Sequence, residues 1–268
     1  LLTLRIPSTV TSISPYGISY LYNLTTLEFL DAEEGETADR LVLEEKAVYG
    51  LGSLTKLILT TRLKDFAVGQ IVNCKIINDV SFANEGGYYV VKDNMVCGNN
   101  GETLIWAPQG INKNVVIPSG VTTIGERAFE NLSITSVVIP AWVETIKPYA
   151  FYYCYNINSL TFNGDANSPK LSIGSNAFFF CTRLTELELA PNVQKIEANA
   201  FGSTINLSKV TVKSTGVQAE GETTPKLDFA DYAFTKEKDS TGNYISYVRE
   251  LYIGKDVPTF SIAGVFGY

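Results

Sequence analysis

Three stretches of this chain share one pattern: VVIPSGVTTIGERAFENLSITSVVIP, VVIPAWVETIKPYAFYYCYNINSLTF and LELAPNVQKIEANAFGSTINLSKVTV. Each runs an apolar-x-apolar pair, Pro or a turn, V-x-x-I, and then Ala-Phe. The Val/Ile pairs are Val10/Ile13, Val121/Ile124, Val143/Ile146 and Val193/Ile196. The Ala-Phe pairs are Ala128-Phe129, Ala150-Phe151, Ala177-Phe178, Ala200-Phe201 and Ala233-Phe234, and weaker copies put Ile18, Val48, Ile71 and Val265 at the Phe position. Self-similarity over about nine units, mostly at a spacing of roughly 20 to 29 residues, is the mark of a leucine-rich-repeat solenoid. One unit cannot bury its apolar stripe alone, so neighbouring units must stack.

Each unit opens on a short alternating stretch, which a half-buried strand requires because side chains change face at every residue. Ten are readable: Leu4-x-Ile6, Leu27-x-Phe29, Leu57-x-Leu59, Val80-x-Phe82, Val115-x-Ile117, Val137-x-Ile139, Leu160-x-Phe162, Leu187-x-Leu189, Val210-x-Val212 and Leu251-x-Ile253. The expected fold is an α/β-type, strand-rich repeat solenoid. It is a right-handed leucine-rich-repeat coil with a parallel β-sheet on one face and Phe filling the centre. Between Phe82 and Val115 the expected segment is replaced by NEGGYYVVKDNMVCGNNGETLIWAPQG, which reads as an inserted antiparallel β-meander with turns at Lys92-Asp93-Asn94 and Asn100-Gly101. The chain therefore divides into an N-terminal repeat block (1–82), the meander (83–114) and a C-terminal block (115–268), forming one continuous solenoid. The meander reads either as a plug between blocks or as a protruding knob; so small a hairpin needs packing support.

The stretch Ile139 to Leu160, IPAWVETIKPYAFYYCYNINSL, resembles the BspA-like leucine-rich repeat family, in the pattern I-P-x-x-V-x-x-I-x-x-x-A-F-x-x-C-x-x-L-x-x-L. The second, third and last units depart from it, with Ala47-Val48, Gln70-Ile71 and Gly264-Val265 in place of Ala-Phe. The resemblance implies a surface protein, as known mainly from bacteria, and a repeat module that binds varied partners.

Composition removes several chemistries. The chain has 268 residues and no histidine, so no Ser-His-Asp triad, Cys-His dyad or imidazole metal site can form. With 21 basic and 28 acidic side chains the net charge is −7, which argues against binding nucleic acid by counterion release. No apolar run reaches the length of a membrane span. Four cysteines are too few for a disulfide scaffold. Cys74, Cys154 and Cys181 share one repeat position and read as buried free thiols, with a Cys154–Cys181 bridge left open; Cys97 sits in the meander. No catalytic residue, cofactor or metal is assigned. The acidic run Asp31, Glu33, Glu34, Glu36 lacks an ordered calcium loop, and Glu186 and Glu188, alternating on one strand, mark no hydrolytic pair.

The residues between paired apolar ones should face out from the sheet, the usual contact surface of such a coil. They are Arg5, Glu28, Ile58, Ser81, Val116, Val138, Thr161, Glu188, Thr211 and Tyr252. Of these Arg5, Glu28, Ile58, Ser81, Thr161, Glu188, Thr211 and Tyr252 are the candidate partner-binding residues. The insertions at 30–40, 163–170 and 213–226 leave directly after strands and form a second candidate edge. The aromatic set Tyr152, Tyr153, Tyr155, Phe179 and Phe180 reads first as packing between turns and second as a binding surface. Three Asn-x-Ser/Thr sites, at Asn23, Asn131 and Asn206, each place a core-position Leu in the middle. The expectation is a monomeric, non-enzymatic recognition or adhesion module that takes a protein or glycan partner, host-derived or not. It is expected outside the cell or anchored at its surface, without inserting into the membrane. A structural spacer is the alternative and a polysaccharide hydrolase a distant third. The chain starts and stops inside repeat units, so flanking sequence is expected at both ends.

Overall fold

Alternation builds the first ladder. In Thr3–Ile6, Thr26–Phe29, Lys56–Leu59 and Asp79–Phe82 the second and fourth residues are apolar and turn inward. The four strands pair in parallel and in register, with Leu4, Leu27, Leu57 and Val80 in one row. The computed structural model describes residues 1–33, 39–84, 87–213, 228–230, 232–234 and 247–253. All ten strands read from the alternation are present; the Gly264-Val265 copy and most of the 213–226 insertion lie outside the described residues.

The chain divides into two compact units, residues 1–112 and 113–268. In the first, two further parallel ladders complete each turn of chain. One joins Ser12–Ile13, Leu41–Leu43 and Leu63–Lys64, the other Ile18–Ser19, Val48–Tyr49 and Ile71–Val72. Their inward residues meet in one core that includes Leu27, Phe29, Leu41, Val48 and Leu57, all fully buried. The meander, Val90–Lys92, Met95–Gly98 and Thr103–Trp106, is antiparallel as expected. Its first turn holds Asp93 and Asn94 at φ 48° and 63°, the two left-handed residues a two-residue hairpin of the primed type needs. Far from projecting as a knob, it packs onto the repeats. Tyr89, Val96 and Trp106 belong to the same core, and Phe66 meets Trp106 edge-on at 5.8 Å and gives its N–H to the Tyr89 hydroxyl at 2.8 Å.

In the second unit, Asn114–Val116, Ser136–Ile139 and Ser159–Phe162 form one parallel ladder, and Glu186–Leu189, Lys209–Val212 and Glu250–Ile253 another. Thr123–Ile124, Thr145–Ile146, Leu171–Ile173, Val193–Ile196 and Asp228–Phe229 pair in parallel on a second side. The Ala-Phe turns close the third. Phe129 donates its N–H to the Ala150 carbonyl at 2.8 Å, and Phe151 and Phe178 repeat this to Ala177 and Ala200 at 2.7 Å. The rings follow the backbone: Phe129, Phe151, Phe178, Phe201 and Phe234 stack at centroid spacings of 4.7, 4.9, 5.2 and 5.4 Å, with planes within 10°. At Gly17, which stands at the Ala position of the first turn, an added Cβ would lie 2.9 Å from the Ile13 side chain.

One expectation needs correcting. The described residues contain no helix, so α/β is the wrong class and the fold is a strand-rich parallel β-solenoid. The reason is local. Two residues before each Phe-position residue, and two after it, the backbone is left-handed in every described turn. The first set is Tyr16, Lys46, Gly69, Arg127, Tyr149, Asn176, Asn199 and Tyr232; the second is Tyr20, Gly50, Asn73, Asn131, Tyr153, Phe180 and Ser203. A reversal of hand every four residues forbids a right-handed helix across the turn.

Candidate functional site

Strand register assembles the predicted residues into rows. In the first unit Arg5 faces Glu28, Glu28 faces Ile58, and Ile58 faces Ser81. In the second, Val116, Val138 and Thr161 form one row, and Glu188, Thr211 and Tyr252 another. None of these side chains is buried, because each alternates with an inward apolar neighbour.

The rows carry internal pairing. Arg5 Nε meets Glu28 Oε2 at 2.8 Å, and beside it Lys56 meets Asp79 at 3.2 Å. Glu188 pairs with Lys213 at 2.6 Å, and Glu186 with Lys209 at 3.4 Å, so the two carboxylates on that strand each hold a cation. The Lys209 ammonium also lies 5.7 Å from the centre of the Tyr252 ring, whose hydroxyl donates to Glu250 at 3.2 Å. The three strands that open the second unit differ. Their outward residues are Asn114, Val116, Ser136, Val138, Ser159 and Thr161, without a charge, and Val116 is 57% exposed. Beside Ser81, a cleft of about 540 Å³ runs between Asp79–Phe82 and Val90–Lys92, lined by Val80, Phe82, Asn84 and Tyr89.

The insertion edge is anchored by residues that sequence reasoning passed over. Arg62 is nearly buried and reaches both roots of the 30–40 insertion. Its Nε and Nη2 donate to the Leu30 carbonyl at 3.3 and 3.2 Å, and Nη1 to Asp39 at 2.8 Å and Val10 at 3.3 Å. Asn192 holds the same place in the second unit, three residues past its ladder strand, and its amide donates to the Pro169 carbonyl of the 163–170 insertion at 2.9 Å. The matching backbone bonds, Leu41 N–H to Arg62 and Leu171 N–H to Asn192, are both 2.9 Å. A polar residue one repeat after an insertion, at a fixed offset, was the available signal.

Asp31 opens that insertion but serves the fold. It accepts hydrogen bonds from the Thr60 hydroxyl, the Thr61 N–H at 2.9 Å and hydroxyl at 2.8 Å, and Asn84 at 3.0 Å. Burial alone would raise its pKa; these donors outweigh burial and hold it below 3.8. Among the described residues no three Cys, Asp or Glu side chains gather as a metal site; Glu34 and Glu36 lie outside them.

All four cysteines are free and buried. Cys154 and Cys181 each give their thiol hydrogen to the Phe carbonyl of the preceding turn, Phe129 at 2.9 Å and Phe151 at 3.6 Å. Burial pushes the Cys74 and Cys97 thiols up to about 11, Cys154 to about 12, and Cys181 well above its ordinary value. A thiol-titrating reagent at pH 8 should therefore count none in the native protein and all four once it is unfolded. The sign of the pH dependence follows. Ordinary thiols titrate near 9.0, so this stabilisation is complete below that pH and is lost as pH rises toward about 12. The Asp31 contribution runs the other way, present above 3.8 and lost as pH falls beneath it. Urea midpoints across pH would read both limbs.

Residues 109–222 match the family described as BspA type leucine rich repeat region, in six copies. No curated protein matches the chain. Among solved structures, a leucine rich cell surface protein from Faecalibacterium prausnitzii A2-165 is similar at 20% identity with a TM-score of 0.63, covering 98% of this chain and 61% of that one. The pneumococcal vaccine antigen PcpA is similar at 16% identity and a TM-score of 0.60, covering 94% and 62%. The chain thus spans about three-fifths of the length of either, and the likeness is one of fold.

Proposed function

We propose, for a chain that carries BspA-type leucine-rich repeats, that it is a non-enzymatic recognition module displayed at the surface of a bacterial cell. It binds a protein or glycan partner through the outward faces of its ladders, with the anchored insertions as the adjoining edge. The observation that carries this reading is the register itself. A short motif repeated in step places Glu188, Thr211 and Tyr252 side by side, and Arg5, Glu28, Ile58 and Ser81 likewise, on flat, accessible rows. Such a row offers several adjacent side chains on a rigid sheet, at little ordering cost on binding. The cell-surface location rests on the description of the Faecalibacterium relative.

The experiment is a variant. Glu188→Lys combined with Tyr252→Ala reverses one charge and removes one exposed ring on the last row. Affinity for an identified partner should fall at least tenfold, while unchanged affinity would remove this face from the account. One observation favours the spacer alternative: Arg5–Glu28 and Glu188–Lys213 already satisfy one another. A spacer would retain no protein or glycan specifically.

A further inference from the structure

The left-handed turn positions are where a bulky side chain is least expected. A non-glycine residue there costs roughly 1–2 kcal/mol, and Gly50 and Gly69 fill two of these positions without that cost. Yet one turn in each unit carries tyrosine at both left-handed positions and again two residues later. They are Tyr16, Tyr20 and Tyr22 in the first unit and Tyr149, Tyr153 and Tyr155 in the second. The shared spacing is Tyr, three residues, Tyr, one residue, Tyr.

Core packing does not account for Tyr16, Tyr20, Tyr22 and Tyr155, whereas Tyr149 and Tyr153 are half-buried between turns. Tyr16, Tyr20 and Tyr22 are 47%, 53% and 65% exposed, and Tyr155, in a turn with neighbours on both sides, is 44% exposed. The rings are held firmly. Tyr16 and Tyr20 both stand edge-on to Tyr49, at 5.1 and 5.7 Å, and Tyr153 stacks on Phe180 at 4.7 Å. Each triad lies beside a neutralised cation. Lys46 pairs with Glu45 at 2.9 Å next to Tyr16, and Arg127 pairs with Glu130 at 2.7 Å while resting 4.5 Å over the Tyr149 ring.

We propose that the two tyrosine triads are twin stacking sites for a neutral polysaccharide. A pyranose presents a C–H face to an aromatic ring and hydroxyls to the phenol groups, and fixed tyrosines provide both at low entropic cost. Size points the same way. The three exposed rings of the first triad offer roughly 300 Å², taking about 200 Å² per residue, whereas a standard protein interface needs about 800 Å² per partner. Duplication points to a ligand that itself repeats, whose units either triad can engage. The net charge of −7 and the paired cations favour an uncharged polymer over an acidic one.

The test is affinity electrophoresis of the whole chain through gels holding β-glucan, xylan, galactomannan or starch. A parallel gel holds deglycosylated mucin protein. At least one polysaccharide should retard the chain. Tyr16→Gly with Tyr20→Gly, or Tyr149→Gly with Tyr153→Gly, should weaken retardation about tenfold, and all four together should abolish it. Glycine suits these backbone angles, so the variants should fold; circular dichroism and thermal melting check this. Trp142→Ala, which removes an exposed ring outside both triads, should leave retardation intact. Retardation by none of the polysaccharides, or undiminished retardation of the folded fourfold variant, overturns the proposal. Retardation confined to the mucin protein also overturns it, making the triads a protein contact.

Discussion

Phe178→Ala should destabilise the protein by about 4 kcal/mol, the upper range for a large core ring replaced by alanine. The ring is fully buried between Phe151 at 4.9 Å and Phe201 at 5.2 Å, nearly coplanar with both, and Phe162 meets it edge-on at 6.4 Å. Truncation therefore removes its own transfer energy and both stacking contacts, and it leaves a void that the turn cannot close. The Ala177 and Ala200 carbonyls bond to the neighbouring Phe N–H groups and hold the turn spacing. Repeat proteins are stabilised by nearest-neighbour contacts, so hydrogen exchange should accelerate first in the turns of Phe151, Phe178 and Phe201. Phe178→Leu keeps most of the volume and should cost about half as much. Urea denaturation measures both, and a Phe178→Ala cost below about 1.5 kcal/mol would mean that the stacked rings are not the core of this unit.

Arg62→Leu should cost about 3 kcal/mol although it adds apolar bulk to a nearly buried site. The carbonyls of Val10, Leu30 and Asp39 lose charged donors together, and a hydrogen bond to a charged group contributes about 1.5–3 kcal/mol. Burial pulls the guanidinium below its usual pKa, partly offset by the Asp31 charge. Arg62→Lys should recover less than half of the loss. An ammonium cannot place several donors in a plane, as Arg62 does toward Leu30 and Asp39. Full recovery by lysine would show that charge alone matters there. Protease cleavage within 31–40 should rise in Arg62→Leu, because both roots of the insertion come loose.

The strands, the Phe column and the buried thiols were legible in the sequence because each reflects a periodic demand on side-chain polarity. Leu4, Leu27, Leu57 and Val80 recur because a parallel ladder requires one inward face. The middle Leu of the Asn-x-Ser/Thr sites behaves in the same way: Leu24, Leu132 and Leu207 are buried. What polarity does not encode was missed. Helix was expected in the repeat, but the hand of residues such as Lys46, Arg127 and Tyr149 is a property of φ, and glycine marks only Gly50 and Gly69 among those positions. Nor does Arg62 differ in sequence from an exposed arginine. Only its place beyond the strand Lys56–Leu59, following an insertion in the previous unit, distinguishes it. The meander's packing could be sensed in Tyr89 and Trp106, two large rings in a short insertion, both now seen in the core. The aromatic set at Tyr152, Tyr153, Tyr155, Phe179 and Phe180 follows the first reading given to it, packing between turns. Tyr152 and Tyr153 stack on Phe179 and Phe180 across turns, while Tyr155 remains exposed.

These properties divide the molecule by role. The Phe stack and the Arg62 and Asn192 anchors hold the frame, and the thiols are sealed within it. The outward rows are left free to vary without disturbing the core, because alternation isolates them from it. That freedom suits a surface whose partner is set by a few exposed side chains, and Glu188 and Tyr252 sit on the row where charge and aromatic character meet.

The most direct measurement is surface plasmon resonance of the immobilised chain against purified matrix proteins, mucins and neutral polysaccharides. The protein should show saturable binding to at least one of them, weakened at least tenfold by Glu188→Lys with Tyr252→Ala or by the tyrosine-to-glycine changes in the two triads. No saturable binding to any of them would contradict recognition as its role and leave it a spacer.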